Sequence, residues 1–278
     1  MFKLTMYFRL KIKDMLTSPE LLGWSIGFVE FWVLMWLFVF SPAKVEAEWA
    51  EFFVRGNAAM AFSFLSLISI ASIGIGLAYS FLYVSRSARY ITKFTKISPG
   101  IFLLEDFLGS LVALLIIVSV IYFSIIFGSY FRWGILPTLE NPLGVAVDLV
   151  LAGIAMYWFS YMLVLLLIVT RRTRSLTIAS YAPLILAFIA YSQLWVDLGN
   201  LAYVIPFCSI PALIMYHATG AVPPKGSYLR WLSMRSLLPP IDLRLAAAST
   251  FSWIAIFIVA SLVLLRKSRG VPIEEIRR

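Results

Sequence analysis

The sequence predicts an all-α, polytopic membrane protein with six transmembrane helices, an N-terminal interfacial helix and an extracellular re-entrant segment before the last helix. Hydrophobic residues make up 62% of the 278 positions and charged residues only 13%, a composition outside the range of ordinary soluble domains. Six apolar segments are each long enough to cross a bilayer as a helix, which takes roughly 20 residues. Lys and Arg are concentrated in alternate polar segments, as in proteins that cross the membrane repeatedly.

The six predicted spans are separated by polar segments. Three of them begin at a Ser or Asn followed by Pro, which is typical of a helix N-terminus: Ser18-Pro19, Ser98-Pro99 and Asn141-Pro142. The spans cover residues 21–41, 57–84, 101–127, 142–169, 176–196 and 246–265.

The distribution of cations predicts the orientation. Residues 1–20, 85–98, 170–175 and 266–278 hold sixteen of the twenty-three Lys and Arg residues. Because cationic loops are retained on the cytoplasmic side, we expect a multi-pass protein of the cell membrane with both termini in the cytoplasm. The net charge of +9 then lies at membrane margins, next to anionic headgroups, which argues against nucleic acid as a partner.

The whole chain, residues 1–278, is predicted to form one membrane domain. It divides into an interfacial helix (1–19), spans one to five (20–196), an extracellular segment (197–245), span six (246–265) and a cytoplasmic tail (266–278). The first twenty residues do not resemble a cleavable signal, because the apolar run that follows them is about twice the usual length. We therefore expect the N-terminus to be retained.

Residues 2–16 are predicted to form a basic amphipathic helix on the membrane surface. Arg9 and Lys13 lie opposite an apolar stripe formed by Leu4, Phe8, Ile12 and Met15. Lys11 falls near the edge of this stripe. We expect its aliphatic stem to lie on the lipid while its ammonium group reaches water. A disordered basic tail is the alternative interpretation.

The segment between spans five and six contains an apolar run, residues 201–218, which two prolines interrupt. Pro206 and Pro211 each remove a backbone donor and clash with the preceding turn. We therefore predict two short half-helices that dip into the outer leaflet, where protein or water must cover their backbone. A seventh crossing is the alternative, but it would place the five cations of the C-terminal tail outside the cell.

No catalytic constellation is visible in the sequence. His217 is the only histidine and Cys208 the only cysteine, so no zinc motif, nucleophile elbow or phosphate-binding loop can be assembled. We predict no catalytic residue, no metal site and no cofactor in this chain. His217 is interpreted as an ordinary interfacial histidine.

Carboxylates within the spans are candidates for a polar pathway, because an ionised side chain is costly at membrane depth. Glu30 lies in the middle of the first span and Asp148 nearer the outer end of the fourth. A hydrogen-bonded carboxyl at a helix contact is the alternative for Glu30. For Glu105 and Asp106 we expect structural ion pairs with Arg86, Arg89 or Lys93. Small residues recur in the second span at Ser66, Ser69, Ser72, Gly76 and Ser80, a pattern that favours close helix packing over a substrate site.

The order of these parts resembles the permease subunit of an ABC-2 type transporter. The resemblance rests on the basic helix 6–19 (MYFRLKIKDMLTSP), on the basic stretch 85–96 before Ile97-Ser98-Pro99, and on the proline-broken segment before the last span. It extends over essentially the whole chain but depends on architecture and not on a residue-level motif. The basic stretch 221–245 departs from the usual pattern of the family.

The resemblance implies an exporter permease that pairs with a second permease subunit, identical or related, and with a separate ATP-binding cassette subunit that holds ATP and Mg²⁺. Pro206 and Pro211 would belong to a re-entrant gate. Glu30 and Asp148 would be candidates for the translocation pathway. The residues implied in coupling to the ATPase subunit are Arg86, Arg89, Tyr90, Ile91, Lys93, Phe94, Lys96, Arg171, Arg172 and Arg174.

Two other classes of function remain open from the sequence. An ion-coupled secondary transporter could use Glu30 and Asp148 to bind coupling cations, although no inverted repeat is visible. A non-transporting membrane assembly factor would tolerate removal of the Glu30 charge.

Overall fold

In the computed structural model, residues 6–17, 19–94, 99–233 and 238–267 are described, apart from the side chains of residues 83–94 and of scattered other positions. Most residues in these ranges are helical. Their only extended pairings are two isolated bridges, Asp197 with Gly226 and Pro224 with Pro240. The predicted all-α class is therefore confirmed.

Five helical segments are long and apolar enough to cross a membrane, as expected for a multi-pass membrane protein. The fourth predicted span matches its helix at both ends, and the third and sixth helices extend a few residues beyond the predicted limits. The first segment, residues 50–82, belongs to helices α4 (Ala50–Met60) and α5 (Ser66–Phe94). The fourth, residues 176–194, includes α8 (Leu176–Ser180) and α9 (Ala182–Tyr191). The other three lie in α6 (Pro99–Trp133), α7 (Pro142–Val169) and α13 (Leu243–Lys267).

The predicted first span forms a helical stretch over residues 19–40. It contains α2 (Pro19–Leu22) and α3 (Phe28–Leu34), each followed by a π-helical segment, Gly23–Gly27 and Met35–Phe40. The joining residues Leu22, Gly27 and Leu34 all have right-handed helical backbone angles. The path is therefore continuous, with wider turns at two places.

The centre of the bundle is the long helix formed by residues 50–94, in which the π-helical segment Ala61–Leu65 joins α4 to α5. Its most apolar eighteen-residue stretch is completely buried. Ser69 and Ser72 donate their hydroxyl hydrogens to carbonyls of their own helix. A side chain at Gly74 would meet Ser160 on α7 and Pro183 on α9. Small residues here let neighbouring helices approach closely, as the sequence predicted.

The polar segments gather at two opposite ends of the bundle. At one end, which we call the basic end, α1 (Met6–Thr17) contacts Asp106 near the start of α6. At the opposite end, Trp133 donates to Pro42, and Arg55 donates to Thr138. Successive helices therefore run in alternating directions, and residues 19–40 extend from one end to the other.

The segment between the fifth and sixth predicted spans contains three short helices. They are α10 (Leu201–Val204), α11 (Ile210–Thr219) and α12 (Tyr228–Leu232). The chain leaves α10 in an extended conformation at Ile205, as expected for a residue that precedes a proline. Most residues of α11 are buried, and Gly220 ends this helix with a positive φ of 74°.

Candidate functional site

An open groove lies between residues 30–34 and α6. It encloses about 800 Å³, a volume within the range of small-molecule sites. Glu30 and Leu34 form one wall and one face of α6 forms the other. In this groove Glu30 accepts a hydrogen bond from the Ser124 hydroxyl at 2.8 Å. Of the two carboxylates predicted to lie on a polar pathway, only Glu30 lines this groove.

The remainder of the groove is mostly apolar and aromatic. Phe123, Phe127 and Phe131 follow one another at intervals of four residues on α6, so they lie on one face of that helix. The rings of Phe123 and Phe127 are stacked, with centroids 5.9 Å apart. All three phenylalanines are more than half exposed. The groove therefore opens toward lipid or toward a partner molecule.

A second polar site joins α1 to the basic end of the bundle. The Lys11 ammonium lies 3.1 Å from an Asp106 carboxylate oxygen, and both side chains are almost completely buried. Lys11 also donates to the Ser80 hydroxyl, and Tyr157 donates to the second Asp106 oxygen, each at 2.9 Å. The Phe81 ring lies under the ammonium. Four helices thus meet at one ion pair, which we call the Lys11 node.

The Lys11 node corrects one prediction from the sequence. The expectation that Lys11 would extend its ammonium to water is wrong, because Lys11 is only 3% exposed. Gly109 explains why α1 can approach α6 so closely, since a side chain there would lie 2.9 Å from Lys11 Cγ. The predicted apolar stripe is otherwise supported: Met15 is buried while Arg9 and Lys13 are exposed. The pairing of Asp106 is structural, as predicted, but its described partner lies on α1.

Asp148 is engaged at the opposite end of the bundle. His217 Nδ1 lies 2.7 Å from an Asp148 carboxylate oxygen, and the Asp148 side chain is buried. The His217 ring packs over Gly144, where a side chain would collide with it. Asn141 caps α7 through its side chain and donates its backbone N–H to the His217 carbonyl. The Asp148–His217 pair therefore fastens α11 to the start of α7.

The residues predicted to couple to an ATPase subunit fall into three groups. Residues 86–94 continue α5 as helix, but the side chains of Arg86, Arg89, Tyr90, Ile91, Lys93 and Phe94 lie outside the described part, as does the whole of Lys96. Arg171, Arg172 and Arg174 are exposed at the end of α7 and just after it. Arg171 has a positive φ of 55°. Its backbone N–H and that of Arg172 donate to Ile168 and Leu167, which closes the helix.

Pro206 and Pro211 both lie at helix boundaries. Pro206 follows the end of α10, and Pro211 occupies the first turn of α11, where a missing backbone donor costs little. Phe207 between them has a φ of 70°. Its ring contacts Phe159 and Phe257 with centroids 5.6 and 6.0 Å away.

Three polar contributors were not identified from the sequence. Ser124 and Ser119 face the groove, and Tyr157 completes the Lys11 node. Ser119 and Ser124 lie among aliphatic residues in an apolar helix, so their spacing alone gave no signal. Tyr157 belongs to an aromatic run at positions 157–161 that is equally typical of ordinary packing.

Within the described ranges, no group of three or more His, Cys, Asp or Glu side chains could hold a metal ion. No protein-family model matches this chain, and no curated protein or solved structure matches it.

Proposed function

We propose that this chain is the permease subunit of an ABC-2 type exporter, coupled to ATP hydrolysis on a separate cassette subunit. The observation that carries the proposal is the segregation of basic segments to one end of a helical bundle. There α1 is fixed through the Lys11 node, α5 continues to Phe94, and the Arg171–Arg174 turn is exposed. The exposed cations that are described here, Arg9 and Lys13 on α1 and those of the Arg171–Arg174 turn, suit docking of a motor subunit.

Six crossings are the number that fits this arrangement. Residues 19–40 form one continuous helical path, and 22 residues of helix span roughly 30 Å, the thickness of the hydrocarbon core. With the other five membrane-spanning segments they make six crossings. An even number places both chain ends on one side, and the excess of Lys and Arg makes that side the cytoplasm.

The re-entrant segment of this proposal is supported by the position of Phe207. Its ring contacts Phe159, the eighteenth residue of α7, and Phe257, the fifteenth residue of α13. Both helices begin at the opposite end of the bundle, so the turn at Pro206 lies far along their length. At the other end of α11, His217 meets the start of α7. In a membrane, the chain would enter from outside, turn at Pro206 and return.

The permease would perform no chemistry itself. Nucleotide binding on the cassette subunits would displace the basic end, and the helices would carry that displacement to the groove that contains Glu30. A second permease copy, identical or related, would complete the pathway. An ion-coupled carrier is the second candidate, and the observation that favours it is the Glu30 carboxylate in an open groove. Asp148 gives it no support, since this side chain is held by His217.

The test is purification of the tagged full chain from its native membranes in mild detergent. We expect a protein with a phosphate-binding loop and ATPase activity to co-purify. Replacing Tyr90, Ile91 and Phe94 together with Ser should abolish that association while membrane insertion persists. The matched control is Leu136→Ser, which changes an exposed apolar residue at the opposite end. Co-purification that the triple substitution leaves unchanged would refute the docking assignment, and the absence of any ATPase would refute the proposal.

A further inference from the structure

The groove combines two features that attract positive charge, a carboxyl group and an aromatic wall. Among its described lining residues, Glu30 is the only acidic group, and none is Lys, Arg or His. Within the described part of the chain, the Glu30 carboxylate has one hydrogen-bond partner, the Ser124 hydroxyl. A carboxylate halfway along a membrane helix is costly unless a partner offsets its charge. The groove therefore offers a carboxyl group for which its described lining residues supply no cation.

The aromatic wall adds a second attraction. Phe123 and Phe127 expose about half of their surface beside the carboxylate, and ring faces attract cations through their quadrupole. The adjacent aliphatic residues Leu115, Ile116 and Val120 present no polar side-chain group. A molecule that fits this surface has a positive centre and a large apolar body.

Two cationic side chains on or near α6, Arg132 and Lys11, make their contacts outside the groove. Arg132, next to Phe131 on α6, lies over the Phe38 ring and donates to the Ser41 carbonyl at the opposite end of the bundle. Lys11 is fixed at the basic end by Asp106. Neither side chain lines the groove.

We propose that the groove binds a lipophilic organic cation, with the Glu30 carboxylate as counter-ion to its positive centre and the Phe123 and Phe127 rings against its apolar groups. This inference deepens the proposed function, because it names the substrate class of that permease. Access would be sideways, from the bilayer, since the groove lies between two helices and its rim is exposed and apolar. An anion of the same shape would be repelled by Glu30.

The test compares two probes of nearly the same size and opposite charge, radiolabelled tetraphenylphosphonium and tetraphenylborate. Binding is measured on the full chain in nanodiscs of zwitterionic lipid, with empty nanodiscs as background. We expect saturable binding of the cation and none of the anion. Glu30→Gln should weaken binding of the cation on the order of tenfold or more, because a charge-assisted contact is lost. Phe127→Leu should weaken it by about threefold.

The control variant is Glu48→Gln, which removes a carboxylate from an exposed position near the opposite end and should leave binding unchanged. Glu30→Gln keeps the shape of the side chain and an acceptor for Ser124, so we expect it to elute from gel filtration as wild type does. If Glu30→Gln does not fold, Phe127→Leu and the anionic probe still decide the question. Equal binding of the two probes, or a cation affinity unaffected by Glu30→Gln, would overturn the proposal.

Two further outcomes would also overturn it. Disulfide formation between copies of Phe127→Cys, with no binding of the cation, would assign the groove to a second copy of this chain. Absence of binding with no such cross-link would assign it to lipid. Neither result affects the ATPase co-purification experiment. The inference about the substrate class can therefore be refuted while the permease proposal stands. Conversely, Glu30-dependent binding of the cation without any co-purified ATPase would support the inference about the groove. It would also favour an ion-coupled carrier over the permease proposal.

Discussion

Replacement of Lys11 by Met tests whether the Lys11 node holds α1 to the bundle. The substitution keeps the aliphatic stem, and with it the packing against Gly109, but removes the ammonium group that faces Asp106. At 3.1 Å and an effective dielectric constant of about 20, the gross Coulomb attraction is about 5 kcal/mol. Desolvation of both ions offsets much of that attraction, so the pair itself adds little net stability. The cost of the single substitution comes from losing the Lys11 attraction at a carboxylate that stays buried.

We expect Lys11→Met to lower the free energy of unfolding by about 3–5 kcal/mol, the usual cost of breaking a buried pair. The corresponding decrease in the midpoint of thermal unfolding, followed by tryptophan fluorescence in detergent micelles, is on the order of 10 °C. Lys11→Met combined with Asp106→Asn should recover a large part of the loss. The double variant removes both charges of the pair, and Asn still accepts the hydrogen bond from Tyr157.

The matched control is Lys13→Met, which removes the same charge from the exposed side of α1. It should change stability by less than about 0.5 kcal/mol. The reasoning is refuted if Lys11→Met is as stable as Lys13→Met, or if the double variant is less stable than Lys11→Met alone. Either result would mean that the ion pair does not determine how α1 is attached.

Two other substitutions test features of the loops. The Tyr228 hydroxyl is buried without a hydrogen-bond partner among the described residues, and burial raises the pKa of Tyr228 above its usual 10.0. Because the folded state retains this proton more strongly than the unfolded state, the protein loses stability as the pH rises above 10.0. Tyr228→Phe should stabilise the protein by about 1 kcal/mol at neutral pH. It should also reduce the alkaline loss of stability, measured by thermal unfolding from pH 8 to about 11. An equal alkaline loss in both proteins would contradict the assignment of that loss to Tyr228. Arg171→Gly should raise stability by about 1 kcal/mol, since Arg171 adopts a left-handed conformation, whereas Arg172→Gly should not. The same thermal unfolding assay compares the two variants. A larger loss of stability in Arg171→Gly than in Arg172→Gly would refute the interpretation.

The boundaries of the fourth span could be predicted because they depend on local composition. An apolar run of about 20 residues and a Ser-Pro or Asn-Pro start specify a membrane helix whatever surrounds it. The match of α7 to residues 142–169 follows from this, with Asn141 capping the helix as its position suggested. The π-helical turns in residues 19–40 had no such signature, and neither did the continuation of α5 through residues 85–94.

The polar contacts were harder to predict, since each joins residues that are far apart in the chain. Periodicity placed Lys11 near the edge of a stripe, but its burial depends on Asp106 and on the absence of a side chain at Gly109. Glu30 could be identified as unusual from its depth alone. Its partner Ser124 lies 94 positions away, and only the packing of α6 beside residues 28–34 brings the two together.

The two polar sites are linked by the way the chain connects them. Only Ser18 separates α1 from the helical stretch that carries Glu30, while the Lys11 node ties the same α1 to α6, which carries Ser124 and the aromatic wall. Both walls of the groove are therefore attached to α1, a short helix at the basic end. A displacement of α1 by a docked motor would move one wall through the backbone and the other through the ion pair. Under the proposed function, Lys11→Met should uncouple the second connection, so that ATPase activity continues while transport of the cation slows.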